Sequence, residues 1–148
     1  MHIYGVDRVI IATRDLDDLS AQFNDLLDIS FGQLSTPTTD TDAGSQDVEN
    51  LLSEPGVELV APRNEGDEVG RFIEENGPGL YAFSLRVADL AAAQEELAKQ
   101  GVDPVGEFEQ NQFRELFYHP RNFGGAFVIL AEYEASHPAE IASSTGEA

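Results

Sequence analysis

The sequence predicts an α+β fold in which one unit, a strand, a helix and three further strands, is used twice. Residues 8–32 and 82–106 overlay without a gap, and each stretch reads as strand, capped helix, glycine, strand. Val9 and Ile11 of the first fall on Phe83 and Leu85 of the second, alternating with positions that face the other way, as strand periodicity requires. Asp15 and Asp89 stand where helix N-caps belong. They are followed at helical spacing by Leu16, Leu19 and Phe23 in one copy and by Leu90, Ala93 and Leu97 in the other. Gly32 falls on Gly106.

In chain order, the first strand runs from about Asp7 to Thr13 and the first helix from Leu16 to about Asp28, with a second strand beginning near Ile29. Ser35 to Gln46, polar and carrying Pro37, Gly44 and several threonines, reads as an exposed loop. Gln46 to Leu52 and Val57 to Ala61 form a hairpin about Glu54-Pro55-Gly56, where proline and glycine suit a tight turn. Module one thus spans about 5–62. A connector, 63–79, holds a short helix from Asp67 to Glu75 that stops at Gly77-Pro78-Gly79. Module two, about 80–133, repeats the order: strand Leu80 to Val87, helix Leu90 to Gln100, then strands at Glu107, Phe113 to Tyr118 and Ala126 to Tyr133, with a turn at Pro120 to Gly125. The tail, 134–148, has weak periodicity and is expected to rest against the body or a neighbouring subunit.

Composition supports a single domain over 1–148. A hydrophobic fraction of 41% with nine Phe and four Tyr suffices for one core, and no apolar run is long enough to span a bilayer. The start, MHIYGVDRV, lacks a basic stretch followed by an apolar one, so no secretory signal is visible and the cytoplasm is the expected compartment. With no cysteine there is neither a disulfide framework nor a thiolate nucleophile. Twenty-eight Asp and Glu stand against eight Lys and Arg, and Lys99 is the one lysine. A surface this acidic repels phosphate, so nucleic acid is excluded as a partner. The excess fits either a very soluble protein or one from a saline cytoplasm, where ions screen the repulsion.

Several segments together resemble the vicinal oxygen chelate superfamily, which includes glyoxalase I, methylmalonyl-CoA epimerase, extradiol dioxygenases and antibiotic-resistance binding proteins. They are Val6 to Leu16, Val57-Glu58-Leu59-Val60-Ala61-Pro62, Asn76 to Phe83, and Tyr118-His119-Pro120-Arg121-Asn122-Phe123-Gly124-Gly125. The resemblance covers about residues 5 to 133 and leans to the epimerase branch. It implies two paired βαβββ modules forming half-barrels around a cleft, a homodimer, and four inward residues that usually hold a divalent metal. Carried over, those four positions are Arg8, Glu58, Ala82 and Ile129. Alanine and isoleucine have no donor and arginine stays cationic, so the expectation is no metal and no other cofactor.

Arg8 and Glu58 then become the candidate catalytic pair, Arg8 as partner of an oxyanion and Glu58 as base, or else a buried staple in place of the lost metal. Alternation puts Ser84 and Arg86 on the same side as Ala82. Arg114 and Glu115 face opposite ways, so at most one enters the cleft, and Glu115 is the next candidate base. Tyr118 shares its phase with Arg114 and reads either as a donor to a substrate oxygen or as packing. Phe127 and Ile129, with Ile10, Ala12 and Val60, would line an apolar pocket, and Tyr81 stands beside it. His119, before a proline in a turn, reads as structural. The expected ligand is a small hydrophobic or aromatic molecule with an oxygen function. The expected activity is a metal-independent isomerase, epimerase or lyase working by proton transfer next to that oxygen; the alternative is a binding protein without turnover. No nucleic acid or membrane partner is expected.

The charge leads to a first prediction. With a net charge of −20, the melting temperature should rise between low salt and molar KCl. The rise should be steepest until the Debye length has fallen to about 10 Å. Scanning calorimetry measures it, and a flat or falling response marks an ordinary soluble protein.

Overall fold

The computed structural model describes residues 1–34, 39–41, 44–46, 48–110 and 112–134. The expectation for the tail beyond Glu134 lies outside the described residues. In order, the elements are β1 (Ile3–Ala12), α1 (Leu16–Leu27), β2 (Phe31–Leu34), β3 (Thr39–Thr41), β4 (Gly44–Gln46), β5 (Val48–Ser53), β6 (Val57–Pro62), α2 (Glu68–Asn76), β7 (Gly79–Val87), α3 (Leu90–Lys99), β8 (Gly106–Gln110), β9 (Phe113–Tyr118) and β10 (Phe127–Glu132). A 3-10 turn, Pro120–Asn122, joins the last two strands.

The strands form one curled sheet in the order β2-β5-β6-β1-β7-β10-β9-β8-β3-β4. The first four are module one and the next four module two, joined by the antiparallel pair β1–β7. The internal repeat is visible in the register. In module one β1 runs parallel to β6 with Val9 opposite Val57, Ile10 opposite Glu58 and Ile11 opposite Leu59. In module two β7 runs parallel to β10 with Phe83 opposite Val128, Ser84 opposite Ile129 and Leu85 opposite Leu130. Each pair in one module maps onto its counterpart in the other, so the two modules place equivalent side chains on the same face of the sheet.

Residues read as an exposed loop contribute β3 and β4 instead. Their hairpin leaves module one and docks at the far edge of module two, with Thr41 opposite Gly106 of β8. β-Branched threonines suit a strand once a partner edge is available, and a local reading of the sequence cannot supply that edge. The other boundaries shift by a few residues, most at the start of β1, which begins at Ile3.

Among the described residues the three α-helices each begin at an aspartate whose side chain accepts from a first-turn amide: Asp15 from Asp18 N at 2.9 Å, Asp67 from Gly70 N at 3.0 Å and Asp89 from Ala92 N at 3.0 Å. α3 seals the convex face of module two, burying Leu90 and Ala93 against Val87, Leu116, Tyr118, Val128 and Leu130. α2 crosses to the other face and packs Val69 and Ile73 against Ile10, Ala12, Val60, Ala82, Phe117, Phe127 and Ile129. Part of the expected cleft is therefore filled by the connector helix. Its seat is tight, because a Cβ at Gly70 would stand 2.4 Å from the carbonyl oxygen of Glu65. α1 differs from its counterpart: none of its residues is buried, and Leu26 and Leu27 are 81% and 63% exposed. No helix among the described residues is long and apolar enough to cross a membrane.

The contrast between the two equivalent helices predicts unequal sensitivity to mutation. Leu90→Ala should destabilise the fold by about 2–5 kcal/mol, as expected for a large-to-small change in a packed core. Leu26→Gln should change stability by no more than about 0.5 kcal/mol. Urea denaturation of the two variants checks this.

Candidate functional site

The polar end of the concave face is organised by Arg8. From β1 its guanidinium reaches two other strands: Nη1 donates to Glu58 Oε1 of β6 over 2.5 Å, and Nη2 donates to Glu115 Oε2 of β9. Its Nε faces Asp7 Oδ2 at 3.5 Å. The register of β1 against β7 slips between Val6 and Arg8, and this irregularity lets the neighbours Asp7 and Arg8 turn toward one cluster. The guanidinium carbon also lies 5.5 Å from the centre of the Phe113 ring.

Around this centre the carboxylates are held in turn. Asn50 Nδ2 donates to Glu58 Oε2 over 3.2 Å, and the Tyr133 hydroxyl donates to Asp7 Oδ1. Arg86 lies 3.9 Å over the Tyr133 ring and donates to the Tyr133 carbonyl over 2.8 Å. Arg8, Glu58 and Glu115 are only 5%, 4% and 7% exposed, so the cluster is stripped of most of its water. Asn50 also lines an open hollow of about 450 Å³ between the start of α1 and the β2–β5–β6 edge, which joins the cluster to the surface through one side chain.

Three carboxylates share one guanidinium, and the balance moves the proton affinities of Arg8 and Glu115. Burial opposes the charge on Arg8, but Glu115, Glu58 and Asp7 together outweigh it and hold the arginine protonated. Burial raises the pKa of Glu115 above the usual carboxylate value. Arg8 pulls it back, and Glu58 and Asp7 push it up again. Within the raised window the folded state binds that proton more tightly than the unfolded chain, so the contribution of Glu115 to stability falls as pH rises through it. Burial, followed by the bond to Asp7, likewise raises the pKa of Tyr133.

Of the residues expected from sequence, the structure brings Arg8, Glu58, Ser84, Ala82, Phe127 and Ile129 to the concave face. Ser84 sits opposite Arg8 on one side and Ile129 on the other. Tyr81 is half-buried, stacked on Phe127 and edge-on to Phe72 of α2, so it packs the covering helix. Arg86 faces the same side but is engaged by Tyr133. Tyr118 and Arg114 do not reach the cleft. The phase of β9 turns Phe113, Glu115 and Phe117 inward, leaving Tyr118 under α3 and Arg114 outside, 3.8 Å from Glu109. His119 Nδ1 accepts from Arg121 N at 3.1 Å and shapes the last turn. Asn50, Asp7 and Tyr133 carried no signal in the sequence.

The four inward positions Arg8, Glu58, Ala82 and Ile129 stand on adjacent strands of one face. Only Glu58 among them offers an oxygen to a divalent ion, and the charge of Arg8 opposes one, so this set does not fit a metal. Among the described residues, no group of three or more His, Asp or Glu could hold a metal ion.

Removing the centre of such a cluster leaves buried charge without compensation. Arg8→Met should therefore destabilise the protein by about 3–5 kcal/mol, and adding Glu58→Gln and Glu115→Gln should restore most of the loss. Urea denaturation of the single and triple variants checks both.

The model of the Glyoxalase/Bleomycin resistance protein/Dioxygenase superfamily matches residues 7–117. Among solved structures, the methylmalonyl-CoA epimerase of Mycobacterium tuberculosis superposes with a TM-score of 0.76 at 29% identity, covering 90% of each chain. A Streptomyces coelicolor methylmalonyl-CoA epimerase in complex with 2-nitronate-propionyl-CoA gives 0.76 at 20% identity, covering 91% of this chain and 98% of that one. A methylmalonyl-CoA epimerase in complex with methylmalonyl-CoA and ammonium gives the same score, identity and coverage. No protein of curated function matches the sequence at a significant level. By the span of the family match, and by the fold it shares with these epimerases, the chain belongs to the glyoxalase/bleomycin resistance protein/dioxygenase superfamily.

Proposed function

We propose that this protein is an isomerase, epimerase or lyase of small carbonyl compounds that moves a proton at the carbon next to the carbonyl without a metal ion. The observation that carries the reading is the sharing of Arg8 between Glu58 and Glu115 in a cluster nearly free of water. Before reaction the positive charge of Arg8 is directed at Glu58. When Glu58 removes the proton, the C–H bond breaks, its electron pair moves into an enolate, and the negative charge passes from Glu58 to the enolate oxygen. The attraction of Arg8 then shifts to that oxygen. An interaction that strengthens as charge develops lowers the barrier, whereas one already complete in the ground state does not. Glu115, whose burial favours its protonated form, supplies the returning proton. The structural likeness to methylmalonyl-CoA epimerases, one of them bound to methylmalonyl-CoA, supports chemistry at the carbon beside a thioester carbonyl.

A binding role without turnover is the second reading. It is favoured by the excess of carboxylates over Arg8, which suits capture of a cationic ligand, as does the acidic surface.

The two readings separate in deuterium oxide. Proton NMR should show loss of the C2 proton from one or more 2-methyl acyl-CoA thioesters, at a rate unchanged by EDTA. Glu58→Gln should slow the exchange about 100-fold while the protein stays folded by circular dichroism. Saturable binding with no exchange in the wild type supports the binding protein, and full activity in Glu58→Gln moves the base elsewhere.

A further inference from the structure

The concave face contains a hydrogen-bond donor that the protein itself does not use. Ser84 is wholly buried, 0% exposed, and its hydroxyl has no hydrogen-bond partner. Within the cluster itself Asp7 Oδ2 faces Arg8 Nε at 3.5 Å. Of the remaining buried side-chain oxygens among the described residues, one on Asp67 at the cap of α2 and the hydroxyl of Tyr118 beneath α3 share the condition of Ser84, and neither lies beside the ion cluster. Ser84 does, opposite Arg8 on β1 and Ile129 on β10. Buried hydroxyls are almost always paired, so one left open next to a reactive cluster marks the place of a ligand acceptor.

The surroundings decide what kind of acceptor. Each nitrogen of Arg8 already faces a carboxylate: Glu58, Glu115 or Asp7. Arg86 is committed to the ring and carbonyl of Tyr133. With all three acids ionised the cluster carries three negative charges against the one of Arg8. With Glu115 protonated it still carries two. An incoming carboxylate would lose its water, meet like charge and find no cation to receive it, and such a charge is strongly disfavoured in a desolvated site. A carbonyl oxygen loses far less on entry and needs only one neutral donor.

We propose that Ser84 donates its hydrogen bond to the oxygen of an uncharged carbonyl group, and that the site selects ketone or thioester carbonyls against carboxylates. This rests on the proposed function only for the position of the reacting carbon. It also separates this chain from its structural neighbours, because a carboxylate adjoins the reacting carbon in methylmalonyl-CoA.

Two thioesters that differ in one group test it. 2-Methylacetoacetyl-CoA carries an acetyl group where methylmalonyl-CoA carries a carboxylate, and both bring the same nucleotide handle. Isothermal titration should show the ketone binding the wild type at least about tenfold more tightly, which corresponds to about 1.4 kcal/mol. Ser84→Ala, which removes an unpaired hydroxyl and should melt no lower than the wild type, is expected to weaken the ketone about fivefold or more and leave the carboxylate unchanged. Glu115→Gln removes a source of repulsion and should narrow the preference. Equal or tighter binding of methylmalonyl-CoA overturns the proposal, as does an unchanged ketone affinity in a folded Ser84→Ala variant or no binding of either thioester. Loss of preference in Ser84→Ala with no C2 exchange in any variant would sustain this selectivity while removing the catalytic reading.

Discussion

Everything on the concave face is arranged around one guanidinium. Arg8 stands on the strand that joins the two modules, and it takes one carboxylate from β6 of its own module and one from β9 of the other. Neither acid could remain buried and ionised alone, and the arginine could not enter the sheet without them. The fold therefore needs the charges of the cluster balanced, and Asp7, Asn50 and Tyr133 hold its outer atoms. Such a network holds its members in one geometry.

Relatives sharing this fold host very different activities, so membership of the superfamily locates a site more firmly than it names a reaction. Here the four inward positions read arginine, glutamate, alanine and isoleucine, so the positive charge among them is that of the Arg8 side chain. A guanidinium brings a single positive charge and cannot be shed, but it can be shared geometrically among several oxygens. That difference shapes which substrates such a site can accept.

Much of the architecture was legible in the chain. The offset between the copies, read from Val9, Ile11, Phe83 and Leu85, reappears as identical parallel registers in the two modules, and the two expected capping aspartates, Asp15 and Asp89, hold their places. The pairing of Arg8 with Glu58 rests on the family resemblance, which places both among the four inward positions. The phase of β9 could not be read, because Phe113, Leu116, Phe117 and Tyr118 are apolar on both faces of the strand, and both faces are indeed buried. Glu115 and Arg114 are therefore indistinguishable in the sequence, and the seat of α3 over Tyr118 and Leu116 decides between them. Long-range partners left no trace either. Nothing near Thr39–Thr41 announces an edge some sixty residues further on, and nothing in α1 announces that its leucines stay outside while those of α3 are sealed.

The β3–β4 hairpin has a consequence for how the two copies can diverge. Both modules repeat one pattern, yet this hairpin belongs to the first and pairs, through Thr41 and Gly106, with the outer edge of the second, where β8 would otherwise offer unpaired backbone groups to a passing strand. Each copy has thereby become specialised: one carries the guard and the other is guarded. The halves are no longer interchangeable, and an isolated second module would present an open edge suited to self-association.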